Sequence, residues 1–168
     1  MCDDTLKIVF SLIENSTTPL VLDADALNCV AKQPEILLRK KAPIIITPHP
    51  GEMSRLTGLA TPLVNAERER VALDFAQKYG VVTVLKGAGT VIASPNGKVL
   101  VNPTGNSGMA TGGSGDVLAG MTASILAQGA SAFSSAAAAV YLHGLAGDIA
   151  AEKYGKISML PTDLINCI

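Results

Sequence analysis

Apolar positions recur along this chain in two different periods, and the alternation between them predicts the order of its elements. Leu6, Ile8, Val9, Leu12 and Ile13 follow helical spacing, which predicts an amphipathic helix over residues 4–14. Residues 19–23, 44–47 and 81–85 are short unbroken apolar runs, the pattern of strands buried on both faces. Between them the sequence predicts helices over 26–31 and 52–56. A longer one is expected over 62–79, with Glu67, Arg68, Glu69 and Arg70 on its charged face. Residues 90–93 and 98–101 are β-prone and flank Pro95-Asn96-Gly97, a strong hairpin signal. Two Ala- and Gly-rich helices follow, over about 116–128 and 132–153, and Pro161 suits the first position of a last short helix. Strands alternating with helices predict an α/β fold: a mostly parallel sheet, covered on both faces, with a hairpin at one side.

Composition narrows the class without naming a chemistry. With 168 residues, 48% of them hydrophobic and 16% charged, residues 1–168 are expected to form a single domain. The formal net charge is −1 and Lys and Arg are scattered, so no basic face for nucleic acid is expected. No apolar run is long enough to span a membrane, and the start, Met1-Cys2-Asp3-Asp4, is acidic where a signal peptide would be basic, so the expected location is the cytoplasm. Cys2, Cys29 and Cys167 are far apart and odd in number, which argues against a disulfide framework and a zinc site.

Chemistry concentrates in residues 105–115, G-N-S-G-M-A-T-G-G-S-G, which run into Asp116 and an apolar helix. Glycines let main chain approach a ligand, and the first N–H groups of a helix carry partial positive charge, so an anion is expected there, above all a nucleotide phosphate. Asp116 puts a carboxylate beside that pocket, placed either to meet a reacting group or simply to cap the helix. Ligands of such sheets sit outside the carboxyl ends of the strands. The residues there are Asp23-Ala24-Asp25, Thr47 to Glu52, and Lys86-Gly87-Ala88-Gly89-Thr90. Lys86 to Thr90 offers an ammonium, two glycines and a hydroxyl to phosphate or ribose oxygens, or is a tight turn; it lacks the P-loop spacing. Glu52 could hold a hydrated Mg²⁺ with His49 reaching the pocket, or serve the helix dipole. Asp23 and Asp25 either act toward the same metal or cap the next helix. Asn106 and Ser107 either bond a nucleotide or shape the turn, and His143 reads as a packed structural histidine.

In order, L-D-A-D-A-L-N (22–28), T-P-H-P-G-E-M-S-R-L-T-G (47–58), L-K-G-A-G-T (85–90), G-N-S-G-M-A-T-G-G-S-G-D-V-L-A-G (105–120) and A-V-Y-L-H-G-L-A-G-D (139–148) resemble the ADP/ATP-dependent NAD(P)H-hydrate dehydratases of the ribokinase-like superfamily. The resemblance implies a ribokinase-like three-layer α/β/α fold, N-terminally truncated relative to the family domain. It implies dehydration of (6S)-hydrated NADH or NADPH with ADP or ATP as co-substrate and Mg²⁺, through phosphorylation of the hydroxyl and loss of phosphate. By matching positions, Lys86, Gly87, Ala88, Gly89, Thr90, Asn106, Gly112, Gly113, Ser114 and Gly115 would contact the adenine nucleotide. His49, Pro50, Gly51, Glu52 and Asp116 would face the hydrated dinucleotide, with Asp116 catalytic and Glu52 reaching the metal through water. A homo-oligomer, a tetramer in the family, is also implied. The competing expectations are a ribokinase-like kinase for a thiazole or pyrimidine alcohol and a non-catalytic nucleotide-binding fragment.

Overall fold

The computed structural model describes residues 3–168; Cys2 lies outside them. β1 (Leu20–Leu22), β2 (Ile44–Ile46), β3 (Val82–Leu85), β4 (Val91–Ala93) and β5 (Val99–Val101) form one sheet in chain order. β1, β2 and β3 are parallel, with Val21 opposite Ile45 and Ile46 opposite Thr83. β3, β4 and β5 are antiparallel, and Ile92 stands between Val84 and Leu100. The hairpin therefore occupies a full half of the sheet, which is mixed among the described residues.

Period-two alternation sends successive strand residues into two cores. Ile44, Ile46 and Leu85 pack with Leu27, Ile36, Leu37, Met53 and Phe75. Ile45, Val82, Val84 and Ile92 pack with Leu118, Leu126, Ala136, Ala139 and Val140 on the opposite face. The first layer is built by α1 (Asp3–Asn15), α2 (Ala24–Val30), a 3-10 helix (Pro34–Arg39), α3 (Pro50–Thr57), α4 (Thr61–Ala66) and α5 (Arg68–Tyr79). The second is built by α6 (Ser114–Ala127) and α7 (Ala132–Tyr154), with α8 (Pro161–Ile165) packed at their side through Leu164.

Three elements differ from the pattern-based expectation. The helix expected over 62–79 is kinked at Glu67, whose φ of −125° and ψ of 42° separate α4 from α5. Beside the kink, Arg68 Nη2 donates to the Leu85 carbonyl at 2.8 Å, a tertiary contact with no local sequence code. The six-residue 3-10 helix was not foreseen, because its tighter winding does not follow the 3.6-residue period; it buries Ile36 and Leu37. α6 starts at Ser114, with Gly113 before it at φ +98°, so Asp116 is the third residue of the helix rather than the first.

Candidate functional site

Because β1, β2 and β3 are parallel, their carboxyl ends deliver Asp23, the His49 turn and Lys86 to one side of the sheet. Lys86 Nζ donates to Asp23 Oδ1 at 2.6 Å and lies 3.9 Å from Glu52 Oε2. The Lys86, Asp23 and Glu52 side chains are only 19%, 13% and 6% exposed, so each buried charge has an opposite partner within reach. The Lys86 N–H donates to the Pro48 carbonyl at 2.8 Å, tying the β3 tip to the His49 turn. Ala24, directly after Asp23, has φ +48°, a left-handed backbone that costs a residue with a Cβ about 1–2 kcal/mol. Strain of this kind gathers at functional sites.

His49 caps α3. Its Nδ1 accepts from the Gly51 and Glu52 N–H groups at 3.0 and 3.2 Å, while Glu52 Oε2 accepts from the His49 N–H at 2.7 Å. That is a capping box in which an imidazole does the work usual for Ser or Thr. Since Nδ1 accepts, the ring N–H is at Nε2, 3.6 Å from Glu52 Oε1. Pro50 fills the first helical position, and a Cβ on Gly51 would stand 2.9 Å from His49 Cε1. The sequence H-P-G-E thus fixes the Glu52 carboxylate between the His49 main chain and Lys86. Asp25 does not cap α2; its Oδ1 accepts from Asn28 Nδ2 at 3.3 Å.

The α6 N-terminus meets this cluster from the other layer. A Cβ on Gly115 would lie 3.5 Å from Lys86 Nζ and 3.7 Å from Asp23 Oδ2. Among the described residues the N–H groups of Gly112, Gly113, Gly115 and Asp116 find no acceptor. Asp116 is exposed, and its carboxylate has no partner within the described chain. Unpaired amides at a helix start form an anion-binding concavity. Ser114 differs: its hydroxyl is buried and unpartnered. His143 packs against the Ser114 main chain, and burial pushes the imidazole below its ordinary 6.5 while that contact opposes the shift.

The remaining expected contacts are spent inside the protein. Asn106 Nδ2 donates to the Gly147 carbonyl and to Asp148 Oδ1, and Asn106 Oδ1 accepts from the Gly108 N–H. The Asn106 amide is therefore committed to α7 and to its own turn. Thr90 Oγ1 donates to the Gly87 carbonyl at 3.0 Å and accepts from the Gly87 N–H at 3.3 Å, closing the Lys86 to Thr90 turn on itself. Gly87, at φ +146°, lies where a Cβ would be 3.0 Å from both terminal nitrogens of Arg68. Burial lowers the pKa of that guanidinium. Neither Arg68 nor Asp148 was expected to support the site. A cleft of about 510 Å³ borders the turn through Ala88, Gly89 and Val101, whereas one of about 520 Å³ beside Leu56, Phe75 and Tyr79 touches none of the expected site residues. Among the described residues no three His, Cys, Asp or Glu side chains are grouped to hold a metal, and no helix is long and apolar enough to cross a membrane.

A three-layer sandwich with glycine turns at its strand tips and an anion-ready helix N-terminus is the ribokinase-like arrangement. A ribokinase-like superfamily protein from Enterococcus faecalis superposes with a TM-score of 0.82 at 30% identity, covering 99% of this chain and 57% of that one. The model of the NAD(P)H-hydrate dehydratase family matches residues 2–168, and the chain belongs to that family. It is 45% identical over 162 residues to the bifunctional NAD(P)H-hydrate repair enzyme of Moorella thermoacetica, covering 96% of this chain and 31% of that enzyme. The ADP/ATP-dependent NAD(P)H-hydrate dehydratase of Bacillus subtilis, crystallised with ATP and Mg²⁺, superposes with a TM-score of 0.83 at 36% identity over 92% of this chain and 54% of that one. The chain spans about a third of the bifunctional relative and about half of the two solved ones.

Proposed function

We propose that this chain carries out an ADP- or ATP-dependent dehydration that returns (6S)-hydrated NADH or NADPH to the intact reduced cofactor. The observation that carries the reading is the row of unpaired amides at Gly112, Gly113, Gly115 and Asp116, set beside the partnerless Asp116 carboxylate and against Lys86. The amides receive the polyphosphate, and the Lys86 to Thr90 turn flanks the same nucleotide. His49 to Glu52 and Asp116 face the hydrated nicotinamide. Asp116 orients the substrate hydroxyl toward the terminal phosphoryl group and accepts its proton as the new O–P bond forms and the phosphoanhydride bond breaks, ADP leaving from ATP or AMP from ADP, while the amides stabilise the charge on the transferring group. Phosphate then leaves with the electron pair of the C–O bond, and loss of a ring proton restores the double bond.

The residues present fit Mg²⁺. Asp23 and Glu52 offer hard carboxylate oxygens that already converge on one cation, the Lys86 ammonium. With no third acidic or imidazole ligand grouped there among the described residues, Asp23 and Glu52 would hold the ion through water and the nucleotide phosphates, where it would supply charge neutralisation. Cytoplasmic location and assembly into a homo-oligomer belong to the same reading; the exposed Tyr141, Leu142 and Leu145 on α7 support assembly.

Incubation of the chain with Mg²⁺, ADP and hydrated NADH tests it through the return of the reduced-nicotinamide absorbance. Asp116→Asn is expected to keep ADP binding and lower turnover by roughly 100-fold; equal turnover removes Asp116 from the chemistry. ADP binding with no turnover supports a nucleotide-binding piece instead. Phosphorylation of a thiazole or pyrimidine alcohol with no restored absorbance supports a small-molecule kinase.

A further inference from the structure

The late-helix motif A-V-Y-L-H-G-L-A-G-D is left without a role by the site residues themselves, yet one face of α7 carries most of it against the stem of the glycine loop. Asp148 Oδ2 accepts from the Gly105 N–H at 2.9 Å, and Asp148 Oδ1 accepts from Asn106 Nδ2 at 3.0 Å. Asn106 Nδ2 also donates to the Gly147 carbonyl at 2.9 Å, and its Oδ1 holds the Gly108 N–H at 2.9 Å. About two turns earlier, Thr104 Oγ1 donates to the Tyr141 carbonyl at 2.9 Å. Gly144 and Gly147 make this approach possible. A Cβ at Gly144 would lie 2.8 Å from the Thr104 carbonyl carbon, and one at Gly147 would lie 2.7 Å from Met109 Cγ.

The loop is therefore divided. Residues 104–106 are hydrogen-bonded to a 23-residue helix, whereas among the described residues the amides of Gly112, Gly113, Gly115 and Asp116 stay unpaired. We propose that Asp148 is a positioning residue for nucleotide binding. Acting through Asn106 and the Gly105 amide, it fixes the stem from which the amides of residues 112–116 are presented. The inference rests on the nucleotide reading of those amides. It also assigns the Asn106 side chain to the latch rather than to the ligand.

Charge complementarity makes this separable from a merely structural carboxylate. In the native pair a carboxylate faces an amide NH₂. Asp148→Asn sets two NH₂-bearing side chains against each other, and Asn106→Asp sets two carboxylates together. The exchange Asn106→Asp with Asp148→Asn restores a carboxylate facing an NH₂. In the exchange protein the carboxylate at position 106 would still accept from the Gly108 N–H, and the side-chain oxygen at position 148 from the Gly105 N–H; the bond to Gly147 is replaced by a carboxylate oxygen facing the Gly147 carbonyl, an acceptor pair that keeps the recovery short of wild type.

The experiment is calorimetric titration of ADP with Mg²⁺ into the wild type, both single variants and the exchange. Amide hydrogen exchange at Gly105 and Gly108 is measured in the nucleotide-free proteins. Each single variant is expected to bind ADP about tenfold more weakly, the scale of a lost charge-assisted hydrogen bond that leaves the loop competent for only part of the time. Both amides should exchange faster in the single variants. The double variant is expected to recover to within about threefold of wild type, a coupling that additivity forbids. Should a single variant fail to fold, the double variant against wild type carries the test alone. Wild-type affinity in Asp148→Asn, or a double variant with protected amides but no recovered affinity, overturns the proposal. A wild type with protected amides that binds no ADP removes the nucleotide reading, and this role with it.

Discussion

The two layers on either side of the sheet differ in how much of their packing is done by small residues. On the α1–α5 side the core is filled by Ile36, Leu37, Met53, Leu56, Phe75 and Tyr79. On the α6–α7 side Leu118, Leu126 and Val140 share the core with Ala136, Ala139, Ala146 and Ala150, and Gly144 and Gly147 are buried beside them. Large side chains bury apolar area and so supply stability. Small ones supply little area, but they let main chain approach main chain. That is how α7 comes within hydrogen-bonding reach of residues 102–106. One layer holds the fold together, and the other places the loop that faces the ligand.

Substitutions should therefore fail differently on the two sides. The largest loss is expected from Phe75→Ala, which empties a buried position packed on Tyr79 at a ring-centroid distance of 4.6 Å. A phenylalanine truncation of this kind costs about 3–5 kcal/mol, read as a lowered denaturation midpoint in urea, while the folded fraction keeps its ADP affinity. Gly144→Ala should reverse that profile. Its methyl group meets Thr104 Oγ1 and the Thr104 main chain, so overpacking costs about 1–3 kcal/mol and ADP affinity falls with it. Gly147→Ala is the internal control: it meets only the flexible Met109 side chain, and the loss should be smaller in both measurements. Equal ADP losses for Phe75→Ala and Gly144→Ala would end the division of labour.

The same division explains what could be seen in the sequence. Strand tips were legible because buried strands announce themselves as apolar runs, and a parallel sheet puts every carboxyl end on one side. This is why Asp23, His49, Glu52 and Lys86 were all identified and do converge. The glycine loop was legible as a whole but not in its parts. Gly113 opens a helix at positive φ, and Gly112 and Gly115 leave amides free, whereas Gly105 and Gly108 give theirs to side chains. Arg68 and Asp148 stayed hidden because their partners are 17 and 43 residues away, and no local pattern records such pairings. The kink at Glu67 is silent for the same reason, having neither Gly nor Pro to mark it.

A third, smaller effect sharpens the comparison through pH. His143 is buried in the small-residue layer with Nε2 unpartnered, and burial pushes its pKa below 6.5 in the folded chain. Below 6.5 the unfolded chain binds the proton that the folded one refuses, so stability is full above that value and is lost as the pH falls toward the folded pKa. The slope from this one group reaches at most about 1.4 kcal/mol per pH unit. Denaturation midpoints measured on both sides of that pH should show the loss in wild type and a flatter profile in His143→Gln. An unchanged profile would mean that the ring takes up its proton equally well in the folded and unfolded chain.

The smallest effect tests whether main-chain geometry matters on the bulky side as well. Ala24 is exposed, so its methyl group buries almost nothing, yet its φ of +48° carries the cost of a left-handed residue. Ala24→Gly removes that strain and adds freedom to the unfolded chain; with about 1–2 kcal/mol on one side and about 0.5–1 on the other, the balance favours the variant by about 0.5 kcal/mol. Ala24 directly follows Asp23, which meets Lys86, so the stabilised variant is expected to let Asp23 move as well. Exchange at the Lys86 ammonium, followed by NMR, is expected to quicken even as the thermal midpoint rises. A variant that is less stable than wild type would show that the turn after β1 is not strained and that Asp23 is held by its ion pair alone.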